Sequence, residues 1–269
     1  MIGPDLFTQV INQYFPEPHG SLMNGILFGV DLKASGEFYD QLQRIGLLHL
    51  VVLSGINITL LGAMVSHATK SFSKKASALI TIVVIVVFIF FVGPDPPIVR
   101  AGIMGILTLI SIIYERKGFA LYTLFLSAVI MIALKPEWLG TISFQLSTGA
   151  TLGIILFGPK MEEVTGTARQ RLFQSIKQDL KTTMSAQVLT VPIIFFYFKQ
   201  FSLISPLANM AISFFVPSLM IFGFATAFLG SINHYAGLIP AYLSHGILNY
   251  MVYMIKLLAL VPYGFFDFS

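Results

Sequence analysis

No cysteine occurs in the 269 residues, which excludes disulfides, thiolate metal sites and a cysteine nucleophile. Charge is nearly as scarce. Only 10% of residues are Asp, Glu, Lys or Arg, against roughly 25% in a soluble domain. So few charges cannot cover a water-facing surface. With 56% hydrophobic residues and a mean hydropathy of +0.83, the main solvent of this chain is lipid. The first residues, Met1-Ile-Gly-Pro-Asp, lack the basic start and apolar core of a signal peptide. The composition predicts an all-α, polytopic membrane bundle.

What is present sorts into apolar runs and charged loops. Crossing the hydrocarbon core takes about 20 apolar residues. The runs predict eight spans, at 47–67, 76–93, 98–114, 119–135, 139–158, 182–198, 203–230 and 236–262. The seventh contains Pro206 and Pro217 and is expected to be broken. Such breaks require protein or a watery cavity to satisfy the freed backbone groups. Residues 1–45, punctuated by Pro16 and Pro18, read as an extracytoplasmic or interfacial lead-in, and 46–269 as the transmembrane domain.

The net charge of +4 matters less than its placement. Lys70, Lys74, Lys75, Arg116, Lys117, Lys160, Arg169, Arg171, Lys177 and Lys181 fall in alternate loops on one side. Lys33, Arg44, Lys135 and Lys199 fall on the other. The positive-inside rule makes the first group cytoplasmic and puts both termini outside, in agreement with an even span count.

Polar residues interrupt several spans. At about 100° per residue, Ser54 and Asn57 lie close together on the first span, with His49 nearby. Gly55, Thr59, Gly62 and Ser66 share another side, the pattern of a close helix contact. The fifth span carries a ridge of Ser143, Ser147 and Thr151, with Gln145 and Thr148 on other faces and Gly153 as a packing glycine. The sixth opens on Thr182-Thr183-Met-Ser185-Ala-Gln187 and is kinked by Pro192. The seventh carries Ser205, Asn209 and Ser213. The eighth carries His245, Asn249 and Lys256, flanked by Tyr242 and Tyr253. Each stripe must avoid lipid, so together they predict a polar interior, built either of interhelical hydrogen bonds or of a functional path. Arg100 follows Asp95 at the outer start of the third span. It either snorkels to the interface beside Asp95 or stands as a cation at the mouth of an anion path.

Four segments, in order, resemble the ComEC competence family. They are Gly46-Leu-Leu-His49…Leu53-Ser54-Gly55-Ile-Asn57; Gly93…Arg100-Ala101-Gly-Ile-Met104; Ser143-Phe-Gln145-Leu-Ser147…Ala150-Thr-Leu-Gly153; and Ser185-Ala-Gln-Val-Leu-Thr190-Val-Pro192 with Ser202…Leu207-Ala-Asn209. The lead-in Phe15-Pro-Glu-Pro…Gly25-Ile-Leu-Phe-Gly29 is similar as well. The resemblance implies a channel in the bacterial cytoplasmic membrane that passes single-stranded DNA inward during natural transformation. The convergence of the polar stripes places His49, Ser54, Asn57, Arg100, Gln145, Ser147, Asn209, His245 and Asn249 along one expected path, with Asp95 and Arg100 at the outer mouth and Gly55, Gly62 and Gly153 packing helices. The resemblance also implies a DNA-receptor protein outside and an ATP-driven translocase in the cytoplasm.

Full-length relatives commonly add an oligonucleotide-binding-type domain and a metallo-β-lactamase-like domain. This sequence has no His-x-His-x-Asp-His cluster and no β-rich segment of that size. It is therefore expected to be no enzyme, to hold no metal or cofactor, and to rely on separate nuclease and oligonucleotide-binding domains. Rival readings are a small-solute or ion transporter with a midplane polar site, an intramembrane Ser54/His245 protease, and a membrane scaffold. The protease reading is weakened by Val52, where a rhomboid-type motif has glycine.

Overall fold

The computed structural model describes residues 4–30, 36–48, 55–115, 119–159, 168–261 and 265–267. Among them are twelve α-helices: α1 (Asp5–Tyr14), α2 (His19–Phe28), α3 (Gly36–Arg44), α4 (Gly55–Ala68), α5 (Lys74–Val92), α6 (Pro96–Ile113), α7 (Ala120–Leu134), α8 (Ile142–Phe157), α9 (Ala168–Phe198), α10 (Ser205–Ser213), α11 (Val216–Ile232) and α12 (His234–Ala259). A two-stranded antiparallel pair, β1 (Gln200–Ser202) with β2 (Phe265–Asp267), is the small exception to an all-helical fold.

Local chemistry sets many helix boundaries. The Ser73 hydroxyl accepts from the Ala76 amide to cap α5, and Thr141 and Asn233 cap α8 and α12 in the same way. Pro96 and Pro97 occupy the first turn of α6, where a missing N–H costs nothing. Pro206 and Pro217 do the same for α10 and α11. The predicted seventh span is accordingly two helices bent by 48° across Phe214–Phe215. After α3, Gly46 takes a φ of 70°, with its backbone packed against Ser202 and Ser205. A side chain there would be strained by the left-handed backbone and would also collide with Ser205.

Among the described residues, length and composition alone single out fewer than the eight expected spans. By length and composition α5 and α6 can each cross a membrane, and the bent pair α10–α11 makes a third if it is one span. The shortfall is one of length and polarity. At about 1.5 Å per residue, the 15-residue α7 and 16-residue α8 fall short of a hydrocarbon core about 30 Å thick. In α9 the cationic half, Arg169 to Lys181, is continuous with the apolar half, so one 31-residue helix replaces the separate span expected from 182.

Three apolar clusters hold the helices together. The largest joins α1, α2 and α3 to α10, α11 and α12. Every residue from Gly20 to Phe28 is buried against the other helices. The buried Asn24 of α2 donates from Nδ2 to Asn12 Oδ1 on α1 at 2.8 Å. Close approach is allowed by Gly223, against which Met23 and Leu27 pack, and by Gly230 and Gly237, between which Tyr14 inserts. Two smaller clusters bind α4 to α5 and α6 around Ile58, Ile85, Phe88 and Ile98, and α6 to α7 and α8 around Val99, Met131 and Phe144.

Side-to-side packing also forms a closed circuit. α4 packs on α6, α6 on α8, α8 on α9, α9 on α10, α10 on α12 and α12 on α2. A hydrogen bond from Asn57 on α4 to the Ile26 carbonyl on α2 completes it.

Candidate functional site

The strongest polar feature of the circuit is the junction of α4, α6 and α8. Arg100 leaves the first turns of α6 with 9% of its surface exposed. Its Nε donates to Ser147 Oγ at 2.8 Å and its Nη1 to Thr151 Oγ1 at 2.5 Å, with Met104 Sδ 3.5 Å from Nη1. Ser147 and Thr151 stand one turn apart on α8, so their hydroxyls reach two different nitrogens of the planar guanidinium. The Thr151 hydroxyl donates onward to the Ser147 carbonyl at 3.1 Å.

Arg100 does not pair with Asp95. That carboxylate is exposed ahead of α6, and among the described residues no carboxylate bonds the guanidinium. The snorkelling arrangement is therefore not the one observed: the side chain turns into the bundle. Gly55, at the start of α4, makes room for it. A β-carbon on Gly55 would stand 3.0 Å from Nη2 and 3.2 Å from the Ala101 methyl. Gly62 contrasts with this, since a β-carbon there would meet Thr81 and Ile85 at 3.7 and 3.8 Å, which is ordinary contact. Gly153 is the tightest of the three, its added β-carbon colliding with the Ser185 carbonyl of α9.

The remaining polar residues sit at other junctions. Asn57 is buried, with its Nδ2 2.7 Å from the Ile26 carbonyl. Asn209 Nδ2 donates to Thr183 Oγ1 at 3.0 Å and its Oδ1 accepts from Ser213 at 2.7 Å, while Gln187 reaches Ser205 at 3.3 Å. These bonds form a polar ladder between α9 and α10. On α12, Asn249 Oδ1 lies 2.8 Å from His19 Nε2, and the His19 and His245 rings stack at 5.4 Å. Gln145 stays local, donating to the Leu139 carbonyl at 3.3 Å. His49 and Ser54 lie outside the described residues.

The residues named from sequence thus fall into separate groups, with no hydrogen bond joining one group to another among the described residues. Sequence reasoning missed His19. It sits in the proline-punctuated lead-in, where no helical periodicity singles it out, and only tertiary packing brings it to Asn249. Burial holds the His19 imidazole below its ordinary value of 6.5. The Asn249 bond opposes this, and the positive charges of His245 and Lys256 reinforce it. Thr183 and Thr151 carried a signal, each lying on a polar stripe, but their partners were not legible.

Comparison with known proteins points to one family. Residues 26–269 match the competence protein family. The chain is 21% identical over 201 residues to ComE operon protein 3 of Bacillus subtilis (strain 168), covering 74% of this chain and 25% of that protein. It is 31% identical over 111 residues to an uncharacterized protein of Aquifex aeolicus (strain VF5), covering 41% of this chain and 26% of the relative. The matches span about a quarter of each relative's length. No solved structure matches. With Gly55, Arg100, Ser147, Gly153 and Asn209 all at interhelical contacts, and the family match running over nearly its whole length, the chain belongs to the competence protein family.

Proposed function

We propose that this chain is the membrane-embedded path by which single-stranded DNA crosses the bacterial cytoplasmic membrane during natural transformation. It would be a conduit rather than an enzyme, built of eight membrane passes with both termini outside. The observation that carries this reading is the closed circuit α4–α6–α8–α9–α10–α12–α2, with polar side chains at most of its junctions. Polar groups in lipid are costly unless they meet one another or water, and a ring of such junctions is what a hydrated conduit requires. Exposed Tyr242 and Tyr253 on α12 offer rings on which bases stack.

The strand needs a motor. Moving one charge against the membrane potential costs about 2.3 kcal/mol per 100 mV, and inward phosphates move toward the negative side. The sequence contains no ATP-binding loop. An ATP-driven translocase in the cytoplasm, a DNA receptor outside, and separate nuclease and oligonucleotide-binding domains complete the proposal. The test is single-strand import in cells lacking the gene and in cells given it back, combined with single cysteines at 145, 209 and 249. Import should depend on the gene. The cysteines should react with a water-soluble thiol reagent and be protected by DNA. Import unchanged without the gene would sink the reading.

One observation favours the second reading, a small-solute or ion transporter. The 48° break between α10 and α11 frees backbone groups of the kind that coordinate ions in broken transporter helices. Solute-dependent, DNA-independent cysteine protection would support that reading instead.

A further inference from the structure

Arg100 is a buried cation with no carboxylate among the described residues to neutralise it. The Nε and Nη1 donors of its guanidinium are taken by Ser147 and Thr151, whose hydroxyls accept hydrogen bonds but carry no charge. Nη2 has no acceptor among the described residues, and the wall beside it is Gly55. The side chain is thus held at two of its nitrogens by neutral groups, and Nη2 keeps its hydrogens unbonded among the described residues. A buried charge left without a counter-ion destabilises a fold, so folding alone would be served better by Met or Gln at this position.

We propose that Gly55, Arg100, Ser147 and Thr151 form an anion station, and that its ligand is the phosphodiester group of a single-stranded nucleic acid. This rests on the DNA-path reading above and gives it a binding site. The unbonded Nη2 hydrogens can donate a charge-assisted bond to a non-bridging oxygen of a phosphate monoanion. Two neutral hydroxyls hold the guanidinium in place through Nε and Nη1 without competing for the ligand, as a carboxylate would. Only the Nη2 side is free, so the contact is weak enough to release each phosphate to the next, which conduction demands. Gly55 keeps that side open: a methyl 3.0 Å from Nη2 would stand where a phosphate oxygen must sit. Its absent side chain is therefore a clearance for ligand as well as for helix packing.

The experiment uses the full chain in lipid nanodiscs. The probes are a fluorescent oligothymidylate and its uncharged methylphosphonate counterpart. Wild type should prefer the phosphodiester strand by about tenfold or more. Arg100→Gln should lose that preference while unfolding at or above the wild-type temperature. Arg100→Lys should keep part of it, and Gly55→Ala should lose most of it. Undiminished preference in Arg100→Gln, or a clearly lower unfolding temperature for that variant, overturns the station and makes Arg100 structural. Equal binding of both strands, with lipid phosphorus retained by wild type and lost from Arg100→Gln, assigns the site to a lipid headgroup and overturns the nucleic-acid ligand. If wild type binds neither strand, the DNA-path reading fails, and inorganic sulfate reads the station separately. Sulfate that stabilises wild type but not Arg100→Gln supports the anion site, and sulfate that stabilises both alike, or neither, overturns it.

Discussion

At the scale of single residues, a polar side chain in this bundle is defined by its partner. Asn57 is the case in point. On the first span it reads as part of a path, yet its Nδ2 satisfies the Ile26 carbonyl at 2.7 Å. Asn57→Ala would orphan that buried carbonyl, a cost of about 1–3 kcal/mol. The expected outcome is a lower yield of folded protein and a lower unfolding temperature in detergent. A stability equal to wild type would show that water or another group replaces the amide.

His19 adds a pH dependence. Its proton affinity is lowered in the folded chain, chiefly by burial, with His245 and Lys256 adding repulsion and Glu17 and Asn249 opposing. As pH falls below 6.5, the unfolded chain takes up this proton before the folded one does. Stability fully present above 6.5 is therefore lost progressively toward the lower folded value. Unfolding temperatures measured from neutral to mildly acid pH should show this slope, and His19→Gln should flatten it.

At the scale of helices, glycines that look alike in sequence do different work. Gly62 and Gly153 both read as packing positions. Gly153 admits no β-carbon because the Ser185 carbonyl of α9 occupies the space, whereas a methyl at Gly62 meets only ordinary contacts. Gly153→Ala should separate α8 from α9 and cost about 1–3 kcal/mol through overpacking, while Gly62→Ala should be close to neutral. Yield and thermal unfolding of the two variants, side by side, check this. Equal losses would mean that α4 sits closer to α5 than the geometry shows. The proline-marked break of the seventh span was readable in advance, because Pro206 and Pro217 each impose a first turn wherever they sit. The burial of α2 was not. Its apolar run is too short to announce a span, and only packing against Gly223 shows where it goes.

At the scale of the whole molecule, the proposed membrane course rests on charge placement and is open to direct test. Reporter fusions after Lys75, Lys117 and Arg171 should report the cytoplasm, and fusions at Pro96 and at the C-terminus the outside. A cytoplasmic C-terminus would break the eight-pass arrangement. The helices long and apolar enough to cross unaided, α5 and α6, should keep their orientation in any case. The shorter α7 and α8 depend on neighbours, since α7 packs on α6 and α8, and α8 on α9.

The sequence by itself determined the solvent, the helical class, the proline breaks and the family. All four depend on composition, local backbone chemistry or motif order, which need no tertiary contact to be read. It also named most of the polar residues, because a Ser, Asn or Arg in an apolar run is conspicuous wherever the run folds. Only the tertiary structure decided what those residues touch. Arg100 turned from Asp95, five residues away, to Ser147 and Thr151, roughly fifty residues away. His19 joined Asn249 across 230 positions. Such pairings are set by which helix faces meet, and helical periodicity specifies a face without specifying its partner.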